Sequence, residues 1–432
     1  MLNYKTTKGR KVLRKRCSKS MNSKQTDHIE TKRRFPVCLA LALTLGVFAA
    51  GSEELVISPL LPDLARAFSS DVSVLALSIS IYGVMIFIGA PLLVPLGDKY
   101  SRELSLLAGL LIFTAGTVIC ALAHNLFFFF LGRALSGLAA GAFVPTAYAV
   151  VGDRVPYAYR GKVMGLIVSS WSLALIFGVP IGSFIGGVLN WRWTFWIFAL
   201  MSVLVASLIF IEARRSTADG NKTEEENGRQ AGTFRDALKV PRVPVYLTIT
   251  FCNMIGFYGM YSFLGTYLHR VLPGGNTASG LLIMVYGIGF SMSVFTGKIA
   301  DKAGKMRSLI AALAVISIWL SCLAYAPSSM PFLVIGLFVW GLMQSLTVTL
   351  LSTILSDCSQ SRRGKIMAFY SLASNLAVTL GSAVMGPVYV GYGYAAVGFI
   401  CAAVTLIGFV LSVFAYRRYG KYEHKTDQSL YR

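Results

Sequence analysis

Charge is scarce in this chain: Asp, Glu, Lys and Arg make up 14% of 432 residues, while 55% are hydrophobic. A water-soluble globule could not bury so much apolar surface, so a soluble enzyme or binding module is excluded and lipid must be the solvent. Histidine is scarcer still. The four present, His28, His124, His269 and His424, fall in tails or outward loops. A membrane-embedded enzyme, which needs clustered His, Cys or carboxylates inside the bundle, is therefore the weakest alternative. The seven cysteines form no CxxC pair, so neither a disulfide framework nor a metal site is implied. The GxxxxGK[ST] phosphate loop is missing, which argues against an ATP-driven pump. No cofactor is expected.

What the chain does have is long apolar runs. A hydrocarbon core about 30 Å thick takes about 20 apolar residues per helical span. Such runs lie near 36–58, 73–96, 104–123, 126–150, 163–187 and 193–211, and again near 244–268, 279–298, 307–326, 331–355, 366–389 and 394–416. The fold expected is all-α and membrane-embedded, with twelve transmembrane helices. A polar stretch at 212–243 separates the two sets as a linker. The expected domains are a basic tail (1–34), a six-helix bundle (35–211), the linker, a second six-helix bundle (244–417) and a tail (418–432).

The net charge of +21 invites a nucleic-acid reading, but the cations are placed by topology. Of 40 Lys and Arg, all except Arg66, Arg192, Arg270 and Arg133 map to the tails and even-numbered loops when the N-terminus is cytoplasmic. That is the positive-inside asymmetry, and it puts both termini in the cytoplasm of a bacterial inner membrane. The N-terminal cations could hold anionic lipid, or serve only as a topology anchor.

A repeat at an offset of 203 runs through both halves: Asp98 in LGDKYSR matches Asp301 in IADKAGK, and Arg160 to Lys162 match Arg363 to Lys365. Two motifs in register point to duplication, and parallel repeats around a central site are a transporter plan. With these motifs in view, residues 35–418 resemble the major facilitator superfamily. Within it the sequence is similar to twelve-span drug:proton antiporters of the arabinose-efflux-like branch. LGRALSGLAAG in the fourth span, GVPIGSFIGG in the fifth and GSEELVISPLLPDLARAF in the first carry that likeness.

The resemblance implies two pseudo-symmetric bundles and alternating access. It also implies a latch of Asp98, Lys99, Arg102, Asp301, Lys302 and Lys305 with Arg160, Lys162, Arg363 and Lys365. Asp98 would bridge to Arg363 or Lys365, and Asp301 to Arg160 or Lys162. Gly178, Pro180, Gly182, Gly186 and Gly187 would form a hinge in the fifth span. Small residues also serve close helix packing in any membrane bundle.

Only three formal charges fall within spans: Glu53, Glu54 and Arg133. Such residues are costly in hydrocarbon and usually face a polar cavity. Because desolvation favours the neutral form of a carboxylate, this pair is expected to carry protons, and the resemblance to the family's first-span pattern implies Glu54 first and Glu53 second. The alternative is that both merely reach the outer interface. Adjacent helical residues point about 100° apart, so only one can face a central cavity squarely. Arg133 stays charged and acts electrostatically or as an interhelical clamp. Its counterpart in the second half, aligning LGRALSG with IGLFVWG at an offset of 204, is Leu337, which confines coupling to the first half. Tyr82, Asn253, Phe257, Tyr258, Tyr261, Gln344 and Asn375 are candidate cavity residues, with ordinary helix packing as their alternative. The expected activity is proton-coupled efflux of small lipophilic or cationic compounds by a monomer, driven by the proton gradient. Proton-coupled or facilitative transport of a sugar or other metabolite is the alternative.

Overall fold

The computed structural model describes residues 37–99, 101–218, 234–272, 275–292, 300, 303–324, 329–359 and 361–430, some without their side chains. Among these residues the chain is helical with short connections. The first span comprises α1 (Val37–Leu55) and α2 (Ile57–Ala67). These are joined through Val56, whose N–H donates to Ser52 O at 2.9 Å. The helix therefore continues through the PLLPDL stretch to Ala67, beyond the span end expected near 58. Then come α3 (Val72–Lys99), α4 (Arg102–Leu122) and α5 (Leu126–Arg154). The fifth span is α6 (Tyr157–Leu173), a π-helical turn (Ala174–Gly178) and α7 (Val179–Val188), and the sixth is α8 (Trp191–Ala218).

After a short α9 (Phe234–Leu238), the second half is α10 (Val243–Val271), α11 (Gly275–Ser291), α12 (Lys305–Ala324), α13 (Met330–Asp357) and α14 (Arg363–Leu430). Gly393, at φ 79°, divides α14 into the eleventh and twelfth spans. Ten of the described helical stretches are long and apolar enough to cross a membrane. Division of α14 at Gly393, together with α11 at 17 residues, completes the twelve.

Local chemistry sets several boundaries. Ser101 Oγ accepts the N–H of Leu104 at 3.1 Å and Asn125 Oδ1 accepts that of Phe128 at 3.0 Å, satisfying donors that open α4 and α5. The sixth span continues to Ala218, into the segment read from sequence as linker. Large apolar side chains such as Leu111, Leu200, Ile318 and Val410 are exposed on the outside of the bundles, where lipid solvates them.

The core is divided unevenly between the two faces. On the face opposite the chain ends, one continuous apolar cluster spans both halves, with Leu60 and Phe195 from the first and Phe257, Tyr286, Trp340 and Val378 from the second. Toward the chain ends each half has its own cluster: Leu43, Leu106, Val151 and Val163 in one, Tyr246, Leu309, Leu351 and Ile366 in the other. Polar contacts reinforce the shared side. Ser80 Oγ meets Ser382 Oγ at 2.6 Å, Ser58 Oγ donates to Tyr261 O at 2.6 Å, and Asn276 bonds to both Asp63 and Ser183. The bundles are thus locked together on one face and packed separately toward the other.

Candidate functional site

The three charges buried in the first bundle are close neighbours. Glu53, with no exposed surface, accepts from Arg133 Nη1 at 3.2 Å and from Thr117 Oγ1 at 2.8 Å. Arg133 Nη1 also donates to the Glu53 main-chain oxygen at 3.2 Å. The guanidinium lies 4.1 Å from the centroid of the Tyr82 ring, a cation–π contact, and the Tyr82 hydroxyl donates to Ala50 O at 3.2 Å. Glu53 therefore points into the first bundle, among α3, α4 and α5.

Glu54 points the other way. It is 4% exposed and accepts from the Tyr258 hydroxyl at 2.8 Å, so its partner is on α10 of the second bundle. The opposed directions follow from adjacent positions on one helix. Both carboxylates are buried, and α2 continues the span beyond them.

In the second bundle, Phe257 packs against Tyr258 (4.8 Å between centroids), Tyr261 (5.3 Å), Tyr286 (5.9 Å) and Trp340 (5.8 Å). Asn253 and Gln344, each four residues from a member of this aromatic group on its own helix, are buried. Asn375 is not drawn in: its amide donates to Ser371 O in its own helix at 2.9 Å. Tyr82, a cavity candidate by sequence, is wholly buried against Arg133 inside the first bundle. Sequence reasoning missed Thr117, Tyr286 and Trp340. The spacing of Trp340 one helical turn before Gln344 was the available signal for one of them.

Comparison with known proteins agrees with this architecture. A model of the Major Facilitator Superfamily matches residues 43–357 and 292–429. The chain belongs to the Major Facilitator Superfamily. It is 81% identical over 410 residues to the "Uncharacterized MFS-type transporter YwfA" of Bacillus subtilis (strain 168), covering 95% of this chain and 100% of that protein. It is 23% identical over 387 residues to the "Probable sugar efflux transporter" of Helicobacter pylori (strain G27), covering 88% and 95%. In fold it resembles the human organic anion transporter MFSD10 (TETRAN) in a crystal structure. There the TM-score is 0.65 at 18% identity, over 88% of this chain and 100% of that one. The chain is thus a multi-pass secondary transporter and not an enzyme.

The fifth span of this facilitator is irregular where its glycines and proline fall. The Val179 N–H reaches back to Ala174 O, a π-type bond, and Pro180, which has no N–H, follows. Such a bulge is a known cause of helix bending. Gly182 shows why the span must stay bare: a Cβ there would lie 2.8 Å from Val56 Cγ2 and 2.9 Å from Thr194 Cγ2. Gly178 and Gly186 likewise face Ser52 and Leu60 of the first span, and Gly187 faces Asn276 of the other bundle.

Of the latch residues, Asp301 and Lys302 lie outside the described residues, and only the helical backbone is described at Asp98 and Lys99. The others sit at the chain-end face. Arg160 Nε donates to Val155 O at 3.0 Å, while Lys162 and Arg363 are exposed and Lys365 is half-buried. Arg102 and Lys305 are partnered within their own bundles. Arg102 pairs with Asp153 at the end of α5, and Lys305 Nζ lies 2.9 Å from Asp357 at the end of α13. The repeat thus extends, with the acids offset by 204, to two residues that the sequence did not single out.

Proposed function

We propose that this transporter exports small lipophilic molecules in exchange for protons, with Glu54 as the proton site. The observation that carries this reading is the 2.8 Å bond from Tyr258 to Glu54, which runs from one bundle to the other. A carboxylate accepts a hydrogen bond more strongly when ionised than when protonated. Its proton therefore biases how firmly α1 holds α10, and an equilibrium between two bundle arrangements shifts with that bias. Glu53, held by Arg133 and Thr117, fixes the cation in place and does not titrate in the cycle.

The fifth-span bulge is the hinge in this scheme, and the aspartates of the repeated loops are the latch on the chain-end face. Both termini lie in the cytoplasm of a bacterial cell membrane, so the face where the bundles have separate cores opens inward. The transporter works as a monomer, its basic tail against anionic lipid, with the proton gradient as its energy source. The efflux direction is supported by the fifth-span motif. A sugar or other metabolite as cargo is the second reading, favoured by the likeness to the Helicobacter pylori protein.

Growth of an expressing strain on a panel of toxic compounds identifies the cargo for reconstitution into proteoliposomes. Glu54→Gln is then expected to abolish transport driven by an imposed pH gradient while leaving counterflow exchange and folding intact. Gradient-driven transport at the parental rate in Glu54→Gln would remove the assignment.

A further inference from the structure

Asn253 and Gln344 are each 1% exposed, and neither amide nitrogen nor amide oxygen has a hydrogen-bond partner among the described residues. The Tyr286 hydroxyl and Trp340 Nε1 are likewise buried and unpartnered. Leaving such a group unsatisfied costs about 1–3 kcal/mol, and native interiors contain few of them. Four of these side chains gather around one aromatic corner.

The rings of Tyr286 and Trp340 are 5.0 Å apart, and Phe257 lies 5.9 Å from the first and 5.8 Å from the second. Asn253 is four residues before Phe257 on α10, and Gln344 is four after Trp340 on α13. These helices are spans seven and ten and run in opposite directions. Both amides are therefore displaced by about 6 Å along their helix axes toward the same face. That is the chain-end face, where the two bundles pack separately. The amides thus stand between the aromatic corner and the face from which a small molecule can enter.

We infer that Asn253, Gln344, Tyr286, Trp340 and Phe257 form a binding site for an uncharged, ring-shaped compound bearing hydrogen-bond donors and acceptors along one edge. The ring packs on the aromatic faces, which favour flat or C–H-rich partners at about 4.5–7 Å. The edge bonds to the two amides, each of which offers donors and an acceptor. A formally charged cargo fits the amides poorly, because neutral groups do not compensate a buried charge, and Glu54, the carboxylate held by Tyr258 beside Phe257, is assigned to the proton. This narrows the sequence expectation, which included organic cations. It rests on the chain being a transporter and is independent of which residue carries protons.

Thermal unfolding of the full-length protein in detergent tests the site, since a ligand that binds the folded state raises its Tm. The probes are glucose and arabinose as polyhydroxylated rings, uracil and nicotinamide as neutral heteroaromatics, and tetraphenylphosphonium and benzoate as charged controls. At least one neutral probe is expected to stabilise the protein, and which pair responds identifies the ring type. Asn253→Leu and Gln344→Leu should each weaken that binding at least about tenfold, equivalent to about 1.4 kcal/mol. Without ligand these variants should be as stable as the parent or more so, because an apolar isostere removes the unpaired atoms. Glu54 is not among the five residues of the site and its assignment is read by gradient-driven flux rather than by Tm, so this inference and the proton assignment fail separately. Stabilisation by the charged probes alone, by no neutral probe, or undiminished binding in both leucine variants would overturn it.

Discussion

The interior of the first bundle buries a charge pair, with Arg133 Nε and Nη2 still without partners among the described residues, whereas the interior of the second buries neutral amides that have no partner at all. Glu53 and Arg133 meet at 3.2 Å with Thr117 and Tyr82 around them. Asn253 and Gln344, equally buried, touch no polar partner among the described residues. An ion pair sealed from solvent must be closely matched within the protein, because each charge alone is expensive. Neutral amides carry a smaller penalty, which a transient guest can relieve. The contrast separates a structural polar site from a receptive one, and Glu54 with Tyr258 joins them.

The comparison is broken most severely at Arg133. Arg133→Leu leaves Glu53 as an uncompensated buried charge, so a loss of about 3–5 kcal/mol is expected, read as a collapse of Tm in detergent. Stability equal to the parent would mean that the pair is not a structural lock. Thr117→Val removes one bond to the same carboxylate while keeping shape. It should cost about 1.5–3 kcal/mol, the range for a hydrogen bond to a charged group, checked by denaturant or thermal unfolding. At the small end, Lys305→Ala breaks the partly exposed pair with Asp357 on the chain-end face. It should change stability by less than about 1 kcal/mol, so an unshifted Tm shows that burial, not charge itself, sets the size of these effects.

Much of this architecture is legible in the sequence. The apolar runs gave the spans, and the repeat of Asp98 with Asp301 and of Arg160 with Arg363 gave the duplicated halves. The scarcity of charge drew attention to Glu53, Glu54 and Arg133. Boundaries were less legible. The first apolar run stops near 58, yet the helix continues to Ala67 with Pro62 inside α2, because a helix in lipid must keep satisfying its backbone. The partners Asp153 and Asp357 were hidden because an acid at a span end looks solvated in any single sequence, and only packing brings it to a cation.

Composition and order along the chain determined the solvent, the number of crossings and the family, since those depend on local runs of about 20 residues and on motifs. The tertiary structure decided which of two adjacent glutamates faces the other bundle, which face is locked, and where buried amides go without partners. Those properties arise from side chains separated by 80 to 204 positions meeting across helices. No periodicity within one helix encodes them.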